Sequence, residues 1–251
     1  MTRSTTVALL AAATLLATMP VYALVARSRP GDPDVARRPR TALLGRWVRE
    51  WFMWVIAPLE RLFLVLEVPP IAFNWAGVAC GIVAGVLYAR DDLPAAGWLV
   101  LLGGAADTFD GRIARARGVV SSAGAFLDST LDRFAETFAY VGLAVWARGS
   151  VPRELAAVLA MGGSLLVSYA RARGEGLGVH YPGGLMQRAE RLVLLGLASL
   201  LDPVAAAGLG WPAGRLLFLT LAFIGAASLA TALQRTIGIA RALDRGTPGA
   251  G

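Results

Sequence analysis

Four aspartates, Asp107, Asp110, Asp128 and Asp132, stand in the stretch "ADTFDGRIARARGVVSSAGAFLDSTLDRFAE", whose flanks are almost entirely apolar. Spacings of three and four residues put Asp107 with Asp110, and Asp128 with Asp132, on one helix face each. At the centre of a bilayer an unpartnered aspartate costs about 2.5 to 3.5 kcal/mol, so four would cost on the order of 10 kcal/mol. Like charges brought together also repel. A divalent cation held between them relieves both penalties, and clustered carboxylates are the usual hold on a hard ion such as Mg²⁺. Two ions bridged by shared carboxylates would suit displacement at phosphorus. The residues between the acids are small: Gly111 follows Asp110, Ala114 lies one turn on, and Gly124 precedes Asp128 by one turn. Lack of bulk there admits a ligand or a neighbouring backbone. Arg115 adds a fixed planar cation suited to diphosphate oxygens.

The elements that must position these groups are membrane helices. Of 251 residues, 56% are hydrophobic and 16% charged, against about a quarter charged in soluble domains. Several uncharged runs reach the roughly 20 residues that span a bilayer. The chain therefore reads as an all-α polytopic membrane protein, and a soluble globular class is excluded. Its net charge of +7 comes from 24 basic residues, all of them Arg. That charge fits arginines gathered on one membrane side and phosphate-bearing ligands, with no need for nucleic acid. The single cysteine, Cys80, rules out a disulfide framework.

Residues 1–27 form an N-terminal hydrophobic anchor helix rather than a cleaved signal: the apolar run is long, and Arg27, Arg29, Arg37, Arg38 and Arg40 follow it. Residues 28–41, rich in Pro, Gly and Asp, read as a flexible linker. Over 42–66, Leu44, Trp47, Val48, Trp51, Phe52 and Val55 recur at helical spacing, opposite Arg46, Arg49 and Glu50. This is an amphipathic helix lying in the membrane interface. Spans are expected near 70–89, 94–113, 120–147, 154–170, 190–209 and 215–235, a six-transmembrane-helix core within residues 67–240, before a cytoplasmic tail at 241–251. The loops holding Arg112, Arg115 and Arg117, and Arg171, Arg173 and Arg188, alternate with arginine-poor loops near Asp91, Arg148 and Trp211; Arg235, Arg241 and Arg245 belong to the tail. Arginine-rich loops stay cytoplasmic, which puts all four aspartates at the cytoplasmic ends of two neighbouring helices. His180 falls in a polar loop and reads as a surface residue.

The run "DTFDGRIARARGVVSSAGAFLDSTLD" resembles the signature of the CDP-alcohol phosphotransferases at every fixed position: Asp107, Asp110, Gly111, Ala114, Arg115, Gly124, Asp128 and Asp132. The resemblance covers about residues 42 to 240, leaving the anchor outside. It implies an integral membrane enzyme of phospholipid biosynthesis. An acceptor hydroxyl attacks the phosphorus next to the lipid of CDP-diacylglycerol, and CMP leaves. It further implies that Asp107, Asp110 and Asp128 hold Mg²⁺ or Mn²⁺, two ions in all. Asp132 would sit near the second ion and act as base, while Gly111, Ala114, Arg115 and Gly124 line the CDP site. Homodimers and a cytoplasm-facing site in the cell membrane belong to the same expectation.

The segment "SYARARGEGLGVHYPGGLMQRAERLVLLG" is similar to that of the phosphatidylinositol phosphate synthase branch, in which basic residues at the positions of Arg171 and Arg191 bind the acceptor's phosphate. Arg188 opens the same helix as Arg191. The branch often has Lys at the first position; here it is Arg, which binds phosphate with a different geometry. Inositol phosphate is the expected acceptor and glycerol 3-phosphate the alternative. A different class, a transporter with intramembrane carboxylates, requires its acids near the bilayer midplane; here they fall at helix ends beside a basic loop.

Overall fold

The computed structural model describes residues 3–28, 30–37, 44–181 and 184–246. The expected parts of the anchor, linker, amphipathic segment and tail that fall at 1–2, 29, 38–43 and 247–251 lie outside the described residues, Arg29, Arg38 and Arg40 among them. All regular structure in the described residues is helical. The N-terminal segment forms α1 (Arg3–Leu16) and α2 (Thr18–Val25) instead of one unbroken helix. Pro20 has no N–H for the Leu16 carbonyl, and its ring crowds that carbonyl. The two together, Thr5–Val25, remain long and apolar enough to cross a membrane.

The expected linker is more ordered than its composition suggests. Part of it makes the short helix α3 (Pro33–Arg37), whose start is tied by Asp32 Oδ1 accepting from the Asp34 amide at 2.9 Å. Next comes α4 (Arg46–Val65), the amphipathic helix, with Trp51, Met53 and Ile56 buried and Trp47 exposed. Thr18 on α2 accepts the Trp51 indole N–H at 2.9 Å, and the Tyr22 ring sits against Trp47 and Trp54.

Six long helices follow: α5 (Pro70–Ala89), α6 (Leu93–Ala116), α7 (Ser122–Trp146), α8 (Val151–Gly176), α9 (Arg188–Leu209) and α10 (Arg215–Gly246). They close a ring in the order α5, α7, α8, α10, α9, α6. Among the described residues α5, α8, α9, α10 and the N-terminal pair are each long and apolar enough to span a bilayer; α6 and α7 are long enough but carry the acidic ends. Two helices outrun the expected spans. α8 continues past residue 170 to Gly176, and α10 runs through the expected start of the tail to Gly246. Hydropathy falls in these extensions, but they pack on each other, with the Ile239 side chain against Gly174. Arg235, expected as a tail charge, is therefore inside the bundle, 6% exposed, and donates to the Val167 carbonyl at 3.0 Å.

Close helix approach follows from small residues. Gly142 on α7 meets the backbone of Gly85 on α5, and Gly81 meets Ala135, so a Cβ at either glycine would strike main chain. The core above this crossing holds Tyr88, Leu93, Val100, Tyr140 and Leu143. A second apolar cluster of Val35, Met53, Ile56, Phe73, Phe109 and Ile113 fastens α3 and α4 to the ends of α5 and α6. Asp202, far along α9, is accounted for structurally: it accepts from the Gly214 amide at 2.6 Å and the Leu217 amide at 3.2 Å, at the start of α10.

Candidate active site

A tight turn joins α6 to α7. Gly118 takes φ +68°, a left-handed conformation that suits glycine, and Ser121 caps α7 by accepting from the Gly124 amide at 3.0 Å. The acidic C-terminal part of α6 is thereby held beside the acidic N-terminal part of α7. Asp107, Asp110 and Asp128 each bring a carboxylate oxygen to within 4.8 Å of the other two. Asp110 is the buried member. Its Oδ1 accepts the Gly111 amide at 2.5 Å. Asn74, on α5, donates through one amide nitrogen to Asp110 Oδ2 at 2.5 Å and Asp128 Oδ1 at 3.0 Å.

These three carboxylates fit a hard divalent cation: the donors are oxygen only, they come from two helices, and one is shielded from water. The four expected metal residues divide into three and one. Asp132 turns to Arg188, whose Nη2 reaches its Oδ1 at 2.7 Å while Nη1 reaches Asp107 Oδ1 at 3.0 Å. One guanidinium from α9 thus ties both acidic helix ends together.

Below it the charges alternate. Arg133 approaches Asp132 at 3.6 Å and Glu136 at 3.5 Å, and donates to Ser168. Glu136 receives Arg191 through Nε at 2.9 Å and Nη2 at 3.3 Å. Burial of so many ions is tolerable because nearly every one faces an opposite charge. A cavity of about 30 Å³, bordered by Glu136, Tyr140, Arg188 and Arg191, lies between this ladder and the apolar core.

The remaining expected residues are placed as follows. Gly111 lies beneath the Arg115 guanidinium, with Ala114 next to it on α6, and Gly124 is exposed on the first turn of α7. Arg115 is 42% exposed and pairs with Asp34 Oδ2 at 3.0 Å. Arg171 is exposed near the end of α8 and pairs with Glu175 at 2.9 Å, beside the exposed His180. Arg191 is 1% exposed and committed to Glu136, so it does not join the three carboxylates. Sequence reasoning passed over Asn74, Glu136 and Arg133, and placed Arg235 in the tail. Glu136 had a signal, since Asp128, Asp132 and Glu136 form one stripe at successive four-residue steps. Asn74 had only the weak one of a lone amide in an apolar run.

Residues 68–224, more than half of the chain, match the family model for CDP-alcohol phosphatidyltransferase. The phosphatidylinositol phosphate synthase of Streptomyces avermitilis is 32% identical over 228 residues, covering 87% of this chain and 89% of that protein. The crystal structure of the Mycobacterium tuberculosis phosphatidylinositol phosphate synthase with CDP-DAG bound superposes with a TM-score of 0.64 at 26% identity, over 72% of this chain and 92% of that one. The same Mycobacterium tuberculosis protein in complex with manganese and citrate matches with a TM-score of 0.64 at 26% identity, over 72% of this chain and 87% of that one. A six-helix membrane bundle with three converging carboxylates at one end, matched over this length, identifies the chain as a member of the CDP-alcohol phosphatidyltransferase family, divalent-metal-dependent transferases of phospholipid biosynthesis.

Proposed function

We propose that the protein transfers the phosphatidyl group of CDP-diacylglycerol to the hydroxyl of inositol phosphate and releases CMP. The observation that carries this reading is the convergence of Asp107, Asp110 and Asp128 within 4.8 Å, with Arg188 joining them to Asp132. Asp107, Asp110 and Asp128 would hold the metal, and Asp132 would be the carboxylate offered to a second ion. Two Mg²⁺ or Mn²⁺ ions, when bound, supply positive charge against the phosphoryl oxygens and the leaving group. Gly111, Ala114 and Gly124 leave room for the cytidine diphosphate, and Arg115 binds its phosphates. Asp132 takes the proton of the acceptor hydroxyl as that oxygen bonds to phosphorus and the bond to CMP breaks. Arg188 steers the Asp132 carboxylate toward its task.

Arg171, Arg188 and Arg191 form the acceptor-phosphate set. Arg171 is the solvent-facing member and Arg188 the one beside the base. Arg191 reaches an acceptor only by giving up part of its pairing with Glu136. The arginine-rich ends of α6 and α8, and the start of α9, favour a cytoplasm-facing site in a multi-pass protein of the cell membrane. A homodimer is the assembly that the family resemblance implies. The test is CMP release by the purified protein given CDP-diacylglycerol, Mg²⁺ or Mn²⁺, and a panel of inositol phosphate, inositol, glycerol 3-phosphate and glycerol. Turnover with inositol phosphate alone is expected; turnover with glycerol 3-phosphate instead would overturn the acceptor, and no CMP from any of them would overturn the reaction.

A further inference from the structure

Residues 31–37 precede the residues that match the family model, yet they reach Arg112 and Arg115 at the C-terminal end of α6. Val35, 3% exposed, is wedged into the cluster of Met53, Ile56, Phe109 and Ile113. This anchor holds two carboxylates against the end of α6. Asp32 Oδ2 and Asp34 Oδ2 lie 3.0 Å and 3.2 Å from Arg112 Nη1, Glu60 receives Arg112 Nε at 2.8 Å, and Asp34 Oδ2 lies 3.0 Å from Arg115 Nη2. Three carboxylates therefore surround two guanidinium groups. Arg112 is consumed by them: its side chain is 15% exposed. Arg115 is not. It has one terminal nitrogen on Asp34, lies over Gly111, and remains 42% exposed.

We infer that Asp34 sets the nucleotide affinity of the site by competing, as a built-in anion, for the arginine that the diphosphate needs. The inference rests on the reading of Arg115 as a diphosphate ligand. A guanidinium offers five N–H donors, so Asp34 and a phosphate oxygen can share Arg115 in space. They cannot share it without mutual repulsion, because both are anionic and both bind within hydrogen-bond distance of one cation. Asp34 therefore keeps Arg115 ordered and neutralised while the site is free of nucleotide, and weakens the hold on CDP-bearing ligands once they enter. The wedge at Val35 keeps the competing carboxylate close, so its effective concentration at Arg115 stays high.

The test is equilibrium binding of CDP, with Mn²⁺ present, to the full-length protein in detergent, for the wild type, Asp34→Asn, Asp34→Ala, Arg115→Ala and the Asp34→Asn/Arg115→Ala double variant. An exposed ion pair of this kind corresponds to a change of about two- to fivefold. Both Asp34 variants are expected to bind CDP tighter by that factor, the gain shrinking at high ionic strength. Arg115→Ala is expected to bind weakly, and the double variant no better than Arg115→Ala. Unchanged or weaker binding in both Asp34 variants, with Arg115→Ala still weakened, would overturn the competition and leave the nucleotide site standing. Binding that Arg115→Ala does not weaken would overturn both, because Arg115 would then not be a nucleotide ligand.

Discussion

Arg191 and Glu136 meet inside the helix ring through two hydrogen bonds, Nε to Oε1 at 2.9 Å and Nη2 to Oε2 at 3.3 Å, and both residues are at most 5% exposed. Removing one partner strands a buried charge. Arg191→Ala is therefore expected to destabilise the fold by about 3 to 5 kcal/mol, whereas Arg191→Met combined with Glu136→Leu should recover much of that loss. Thermal unfolding in detergent measures both. Arg191→Lys keeps a cation opposite Glu136 and is the variant for kinetics. It should raise the KM for inositol phosphate about tenfold, the order of one charged hydrogen bond, with the CDP-diacylglycerol KM unmoved. Equal rises in both would assign Arg191 to the fold alone.

Asp132 stands apart from the three clustered carboxylates, on Arg188 at 2.7 Å. Asp132→Asn keeps the shape and loses the basic oxygen. CMP release should fall by about 10² to 10⁴-fold, the usual worth of a positioned general base, with the melting temperature little changed. Near-normal turnover would remove Asp132 from that role.

Asn74 is the polar group that spans Asp110 and Asp128 from a third helix. Hydrogen-bonding partners of metal ligands typically affect affinity by 10- to 100-fold. Mn²⁺ titration followed by electron paramagnetic resonance should show binding to Asn74→Ala weakened by about tenfold. Unaltered affinity would show that the carboxylates hold their positions without the amide.

Chelation should stop CMP release, and Mg²⁺ or Mn²⁺ should restore it. Metal should also raise the melting temperature, because a ligand at about 100 times its Kd stabilises the folded state by about 2.7 kcal/mol. Full turnover in excess chelator would contradict the site as drawn.

Gly142 faces the Gly85 backbone on the neighbouring helix, with no room for a methyl group. Gly142→Ala should cost about 1 to 3 kcal/mol, as overpacking does in other cores, read as a lower melting temperature. An unchanged value would mean that α5 and α7 separate freely.

Legibility followed the range of the forces involved. The spacing of Asp107, Asp110, Asp128 and Asp132 and the small residues among them are local facts, as are the apolar runs that became α5 to α10. The clean turn at Gly118 and the cap at Ser121 are local too. By contrast, nothing near Arg235 in the sequence says that it turns inward to Val167, nor that Asp34 lies beside Arg115, 81 positions away. The linker composition suggested disorder because its ordering groups, Arg112 and the pocket around Val35, belong to other elements.

From its sequence alone this chain was bound to be a helical membrane protein with carboxylates at two adjoining helix ends, since hydropathy and helical periodicity act between near neighbours. Only the tertiary structure decided that three of those carboxylates converge, that Asp132 goes to Arg188, and that Arg191 goes to Glu136. Which side chains meet across helices depends on how the helices cross, and the crossings depend on close contacts such as Gly142 against Gly85 that no single segment contains.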